Sequence, residues 1–396
     1  MMQHLPPYNK PALSQIVLSV KRINPMSRHG LTALGFSLAL GMTSSGSHAI
    51  EVVGKQLEFY GVMHVSLDYL DSDVSRAVAK QNGNDALTDG ELSVSSNISR
   101  VGIRGEQMLS PELTVLYQLE QTINLDGSNG DSLTSRNSFL GIRGRYGELL
   151  AGRYDTLFKL VGTQYSLLND TIADRGAIIG AASGVGNLLD RRAENMLMWR
   201  DERDTNSGRW LWALQYSADS QRSAGSADNN DRKLLGGSLT WQGDSQSATL
   251  AHDHYTELAG GTIDATRLGL QHREGRLTAN LILERVRHDL DVGGHGLLDR
   301  NAVAVNVGWK QGGFNWIVQV MEAADFAGIS DSGALKLSFG LEKMLAPSLK
   351  SYVVYTQTDN DRNAAYQGVD GTHGDELATT PGNDPSALSA GLRFAF

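Results

Sequence analysis

The chain alternates between apolar and polar residues with a period of two over most of its length after residue 50. Between residues 335 and 342, leucine or phenylalanine fills the odd positions, and lysine, serine, glycine and glutamate fill the even ones. Such alternation predicts β-strands with one apolar and one polar face. About sixteen segments follow this pattern, and most are close to the ~9 to 11 residues that a tilted strand needs to cross a bilayer.

The connections between these segments alternate between short and long. Short turns are predicted at Ser110-Pro111-Glu112, Gly144-Arg145, Gly243-Asp244, Arg273-Glu274-Gly275, Gln311-Gly312 and Ala346-Pro347. Longer polar stretches lie near 71–99, 123–135, 155–193, 218–231, 256–263, 287–300, 322–333 and 358–386. Tight turns at one end and long loops at the other are typical of a transmembrane up-and-down antiparallel β-barrel. A barrel of about 16 strands is too wide for side chains to fill, so we expect an aqueous channel inside.

The two ends of the chain indicate export to an outer membrane. Apolar residues occupy every even position from 388 to 396, and the chain stops on Phe396, as the closing strand of an outer-membrane barrel usually does. At the other end, the apolar run Leu31 to Met42 follows basic residues and precedes Ser47-His48-Ala49, which predicts a signal peptide over 1–49. Met26 is an alternative start, which would make 1–25 a mis-assigned extension. The remaining 50–396 is predicted to be the barrel.

Composition excludes several classes of protein. The chain has no cysteine and 44 glycines, so neither disulfides nor thiolate metal sites are available. Its net charge is −9 and its leader is basic, so the exported part is more acidic still. We therefore expect no nucleic-acid partner. No phosphate loop or dinucleotide fingerprint is present, and no cofactor is predicted.

Several short motifs resemble the general trimeric porins of Gram-negative outer membranes. The resemblance is carried by SRVGIRGE at 99–106, LYQLEQ at 116–121, RNSFLGI at 136–142, YGELLAGR at 146–153 and LRFAF at 392–396. It implies a sixteen-stranded barrel, a homotrimer, and a third surface loop folded inward to form a constriction. It also implies outer-membrane lipid and lipopolysaccharide as surroundings, and recognition of Phe396 by the barrel-assembly machinery.

The third long connection carries the candidates for the acidic side of a constriction, Asp170 and Asp174. Carboxylates on one wall of a narrow pore and guanidiniums on the other would orient water and bias ion permeation. The resemblance places Arg100, Arg136 and Arg192 on the basic wall. Arginine suits this wall because it stays charged when crowded by other cations.

Strand parity refines the choice of arginines. Arg100 shares a face with Arg104, opposite Val101 and Ile103, and is therefore predicted to point inward. Arg136 and Arg143 are seven residues apart and cannot both point inward without a bulge, so Arg136 is preferred and Arg143 is assigned to a strand end.

Two further arginines, Arg153 and Arg191, are either additional members of the basic cluster or residues of a subunit contact. The sign of ion selectivity stays open, because local arginines outweigh distant, screened acidic charge.

Taken together, these features predict a channel for passive diffusion of small hydrophilic solutes and ions, without enzymatic activity. A substrate-selective channel is the alternative. An outer-membrane enzyme using Ser217 or Ser238 with His252 or His254 is weaker, because no motif joins these residues. His252 and His254 share a strand face, but no third metal ligand is evident, so a polar pair is favoured over a metal site.

Overall fold

The structure is a computed structural model that describes residues 50–51, 55–75, 78, 87–127, 133–220, 232–258, 260–289 and 299–396. The predicted signal peptide, residues 1–49, lies outside the described residues. No helix within the described ranges is long and apolar enough to cross a membrane.

Sixteen antiparallel strands form the body of the described chain. They are β1 (Glu58–Asp71), β2 (Glu91–Ser96 and Arg100–Ser110), β3 (Leu113–Ile123), β4 (Leu133–Ser135 and Ser138–Gly144), β5 (Gly147–Asp155), β6 (Arg192–Thr205), β7 (Gly208–Ser217), β8 (Leu234–Gln242), β9 (Gln246–Leu258), β10 (Gly261–Glu274), β11 (Leu277–His288), β12 (Arg300–Gln311), β13 (Phe314–Ala323), β14 (Ala334–Ala346), β15 (Leu349–Asn360) and β16 (Ser386–Ala395). Each strand pairs with the next along the chain, which is the predicted up-and-down order.

The sheet closes on itself because β1 pairs with β16, from Val62 opposite Ala395 to Asp71 opposite Ser386. The terminal residue completes this seam. The backbone N–H of Phe396 donates to the carbonyl of Gly61 at 3.0 Å, and the N–H of Gly61 donates back at 2.9 Å. A Cβ on Gly61 would lie 2.5 Å from the Phe396 ring, so glycine is required for the ring to lie against the first strand. Closure leaves no free edge in the sheet.

The turns at one end of the barrel confirm most of the sequence prediction. Two- or three-residue turns connect the strands at 111–112, 145–146, 243–245, 275–276, 312–313 and 347–348, and a further turn at 206–207 was not predicted. The predicted long loop at 256–263 is wrong. Strands β9 and β10 extend to Leu258 and from Gly261, so only two residues connect them.

The two faces of the sheet carry opposite chemistry. Large apolar side chains lie exposed on the outer face, among them Phe339, Leu392 and Phe394 at 48%, 47% and 40%. The alternate positions point to the interior and are buried, including polar residues such as Asn306 and Gln319. An exposed apolar band around a closed barrel is the surface that a bilayer covers.

Two long loops contact the interior face. The third loop, residues 156–191 (L3), contains helix α1 (Leu157–Tyr165), whose N-cap Thr156 accepts a hydrogen bond from the backbone of Lys159. Two hydrogen bonds join L3 to interior side chains of the barrel. The backbone N–H of Leu157 donates to the side-chain oxygen of Gln215 on β7, and the side-chain amide of Gln319 on β13 donates to the carbonyl of Ala173. The last loop, residues 361–385 (L8), contacts both L3 and β1.

Candidate functional site

Arg100 and Arg136 meet on one carboxylate inside the barrel. Nε of Arg136 lies 2.5 Å from Oε1 of Glu120, and Nε of Arg100 lies 3.7 Å from Oε2. The hydroxyl of Tyr60 donates to the same carboxylate at 3.0 Å. Both arginines are buried, and Arg100 points inward as parity predicts. On the strands, two guanidiniums thus share the one carboxylate of Glu120.

Arg192 continues this basic wall on β6. Its Nε lies 3.2 Å from Oδ1 of Asp155 and 3.2 Å from Oδ1 of Asn137, the residue that follows Arg136. Lys159 of α1 pairs with Asp155 at 2.7 Å. Burial and the charge of Arg192 lower the pKa of Lys159 to about 8, against the pull of Asp155. The structure thus brings together the three arginines that the sequence singled out.

Arg143 lies next to the last residue of β4, as assigned, and it also points inward. Its Nε lies 2.5 Å from Glu148 and its Nη1 lies 2.9 Å from Glu106. Strand β4 is interrupted between Ser135 and Ser138, and its register against β3 shifts by one residue there. This bulge allows two arginines seven positions apart to face the interior together.

Arg153 and Arg191 make their described contacts beside β4 and at the base of L3. Arg153 donates to the carbonyl of Ser135 at 2.6 Å and lies 4.0 Å from Glu194. The backbone of Arg191 closes the base of L3, accepting from Thr156 N at 3.1 Å.

Asp170 lies in L3, where its carboxyl interacts electrostatically with Arg100 and Arg393 of the barrel wall. Its backbone adopts a φ of 62°, and its N–H donates to Oδ2 of Asp174 and to Oγ1 of Thr372. Burial alone would raise the pKa of Asp170, but the guanidiniums of Arg100 and Arg393 hold it below its usual range. Asp170 is therefore the L3 carboxylate whose charge faces arginines of the barrel wall.

Asp174 has a different role in the same loop. Its side chain is buried, and Oδ1 accepts from Gly176 N at 2.8 Å at the start of a short 3₁₀ turn. Its Oδ2 accepts from Asp170 N and from the hydroxyl of Thr372 in L8. Through these hydrogen bonds, the Asp174 carboxylate links neighbouring residues of L3 to each other and to L8.

A buried ion-pair network attaches L3 to the far wall, and the sequence reading missed it. Arg267 on β10 lies 2.6 Å from Asp190 of L3 and 2.6 Å from Glu284 on β11. Arg300 on β12 lies 3.1 Å from Glu284, and Arg175 of L3 lies 2.7 Å from Asp190. Alternation along the strands could have indicated that these charges are interior, because Arg267 and Glu284 both alternate with outward-facing leucines.

L8 joins L3 to the opposite side of the barrel. Asn187 N of L3 donates to Asp370, and the hydroxyl of Thr372 donates to Asp174. The next residue, His373, places Nε2 3.2 Å from Oδ2 of Asp68 on β1, and neither side chain is exposed. L8 therefore holds the position of the segment that carries Asp170.

The histidine pair on β9 faces outward. His254 Nδ1 lies 2.8 Å from Asp264, and His252 Nδ1 lies 2.8 Å from the Thr266 hydroxyl. Within the described ranges, no group of three or more potential metal ligands is arranged to hold an ion.

Comparison with known proteins agrees with this architecture. A profile of the Gram-negative porin family matches residues 34–363. The chain belongs to the Gram-negative porin family. This family and the barrel place the protein in the outer membrane of a Gram-negative bacterium.

Individual relatives are more distant. The major outer membrane protein P.IB of Neisseria meningitidis serogroup B is 29% identical over 90 residues, covering 23% of this chain and 27% of that protein. The match thus spans about a quarter of this relative.

Two solved structures share the fold. The anion-selective porin of Comamonas acidovorans superposes with a TM-score of 0.70 at 21% identity, covering 86% of this chain and 99% of that one. The trimer form of OmpT, an outer membrane protein of Vibrio cholerae, superposes with a TM-score of 0.61 at 15% identity, covering 86% of this chain and 99% of that one.

Proposed function

We propose that this porin is a water-filled channel for passive diffusion of small hydrophilic solutes and ions, narrowed by L3. The observation that carries the proposal is the position of Asp170, which faces Arg100 and Arg393 inside a closed sixteen-stranded barrel. Opposed charges across a narrow aqueous path orient water and select among ions. No catalytic constellation is required for this activity.

The residues proposed for the constriction are Asp170 and Asp174 on L3 and Arg100, Arg136 and Arg192 on the wall. Asp170 supplies the facing charge, and Asp174 supports it through its hydrogen bonds. Arg153 and Arg191 belong to the surroundings of this wall.

We infer that the channel prefers anions. Arg100, Arg136 and Arg192 share the carboxylates of Glu120 and Asp155, and Lys159 adds a further cation beside them. Asp170 of L3 is a third carboxylate, and it interacts with Arg100. A local excess of positive charge outweighs the acidic charge of distant surfaces, which salt screens within ~10 Å at 0.1 M. The anion-selective porin of Comamonas acidovorans has the same fold, which supports this direction.

We also propose a homotrimer in the outer membrane, in contact with lipid and lipopolysaccharide and assembled through recognition of Phe396. The trimer form of the Vibrio cholerae neighbour supports the assembly state. The contacts of Phe396 at the seam make its ring an element of barrel closure as well.

Planar-bilayer recording tests the proposal. Purified protein should insert with conductance steps grouped in threes, and a salt gradient should give a reversal potential of the sign expected for anions. Asp170→Asn should raise the anion-to-cation permeability ratio, because it removes the charge that faces the arginines. Glu322→Gln, at an exposed, outward-facing position of β13, is the matched control. Absence of conductance, or an unchanged ratio in Asp170→Asn, would contradict the proposal.

Two alternatives have distinct outcomes in the same preparation. A substrate-selective channel would show saturable block of conductance by one class of solute and not by others. An outer-membrane lipase or protease would show turnover in detergent without conductance.

A further inference from the structure

We propose that Arg393 and Lys350, on the last two strands, are further selectivity-determining residues that extend the basic wall to about half of the barrel circumference. This inference rests on the proposed function. It adds two residues to the constriction residues that the sequence suggested. The expected ligands are small oxyanions, such as inorganic phosphate or a carboxylate.

Both side chains point to the interior. Leu392 and Phe394, which flank Arg393, lie exposed on the outer face, so Arg393 lies on the inner one. On β15, Val353 is exposed on the outside, whereas Tyr352 and Val354 are buried. Lys350 shares the inward parity of Tyr352, and it pairs with Glu342, an interior residue of β14.

The register of the strands aligns these residues with the basic wall. Lys350 is directly opposite Arg393 across β15 and β16, and Arg393 is directly opposite His64 across β16 and β1. On the next pair of strands, Arg100 is opposite Val62, two residues from His64. Because paired side chains on one face of a sheet are neighbours, these groups form one interior row.

Asp170 connects this row to L3. The carboxyl of Asp170 interacts with both Arg100 and Arg393, and both guanidiniums lower its pKa against the effect of burial. Arg393 therefore acts on the same space as Arg100, at the point where L3 faces the wall. Arg393 therefore resembles Arg100, Arg136 and Arg192, which also lie on the barrel wall.

The extended row contains more cations than carboxylates. Lys350, Arg393, Arg100, Arg136 and Arg192 occupy strands from β15 through the seam to β6. The carboxylates beside them are Glu342, Glu120 and Asp155 on the strands and Asp170 of L3, which interacts with Arg100 and Arg393. Arginine presents a planar fork of donors that fits carboxylate and phosphate oxygens, whereas lysine acts as a point charge. A row of this kind would guide an oxyanion from one side of L3 to the other.

The test compares Arg393→Gln and Lys350→Gln in the full-length protein with Arg287→Gln, whose side chain is exposed on the outer face of β11. Reversal potentials in a chloride salt gradient should show the anion-to-cation permeability ratio falling by roughly twofold or more for each interior variant, since one unit charge near the path is removed. Arg287→Gln should leave the ratio unchanged. Arg393→Lys, which keeps the positive charge, should have a permeability ratio close to that of the wild type. A purely structural role of the guanidinium would not predict this result.

Inorganic phosphate provides a second readout. Added phosphate should reduce chloride current through the wild type, and the reduction should be weaker in Arg393→Gln. If Arg393→Gln fails to assemble because it lies in the closing strand, Lys350→Gln decides the question. Unchanged ratios in the interior variants, with a fall in Arg100→Gln, would overturn this inference while leaving the proposed channel intact. Unchanged ratios in Arg100→Gln as well would overturn the charged constriction itself.

Discussion

Arg267 and Glu284 face each other across β10 and β11, with Nη2 of the arginine 2.6 Å from Oε2 of the glutamate and neither side chain exposed. Glu284 also pairs with Arg300 and accepts from Gly180 N of L3. Glu284 thus contacts two buried guanidiniums, one of which also pairs with Asp190, and it holds the loop. A buried charge that loses its partner is strongly destabilising.

Glu284→Gln should therefore destabilise the protein by about 3–5 kcal/mol and loosen L3. The measurements are the apparent melting temperature in detergent and the open-channel current noise in bilayers. Glu322→Gln, on the outer face, is the control and should change neither. A variant with wild-type melting temperature and noise would show that the network does not hold L3.

Glu120→Gln should increase anion preference. The variant removes the carboxylate that Arg100 and Arg136 share, so their charges act on the permeating ion without the counter-charge of Glu120. At separations near 4 Å in water, one charge contributes about 1 kcal/mol, which corresponds to several-fold in the permeability ratio. The reversal potential in a salt gradient measures this change, and a shift toward cations would contradict the assignment of the basic wall.

The strands and the closure of the barrel could be predicted from the sequence because both follow from local patterns. Alternation with a period of two predicts the strands. The apolar residues at even positions up to Phe396 predict the closing strand. The connection between β9 and β10 was misread because Thr256 and Glu257 are polar and look like loop residues. In the structure they extend β9, and Glu257 takes a positive φ of 54° just before the turn.

The site was only partly predictable, because its contacts join residues far apart in the chain. Arg100, Arg136 and Arg192 were suggested by a family resemblance, and parity oriented the first of them. Alternation alone places Arg393 on the polar face of the final strand, but it does not show that Arg393 lies near Asp170. The network around Glu284 links L3 to three strands, and no local pattern reports which interior charge meets which loop.

Thr372 in L8 should act as a positioning residue for Asp170. Its hydroxyl accepts from Asp170 N and donates to Asp174, so Thr372→Val removes both contacts while keeping the shape. We expect a smaller shift toward anions than in Asp170→Asn, because the carboxylate remains but is less fixed. Thr372→Ser retains the hydroxyl and should restore wild-type reversal potentials. Equal values for valine and serine variants would contradict this role.

Asp370 should make the docking of L8 depend on pH. Burial raises its pKa to about 7, although the N–H groups of Gly371 and Asn187 favour the charged form. The charged groups facing it are Asp174 of L3, Glu376 of L8 and Lys336 of β14. In an undocked loop, the pKa returns to about 3.9, so the docked loop binds a proton more tightly.

Docking is therefore strongest at low pH and weakens as the pH rises from about 4 to about 7, because ionisation then favours the undocked loop. We expect open-channel noise to increase over this range in wild type, and the increase to be largely absent in Asp370→Asn. Noise that falls with rising pH, or an unaltered dependence in Asp370→Asn, would show that Asp370 does not control docking.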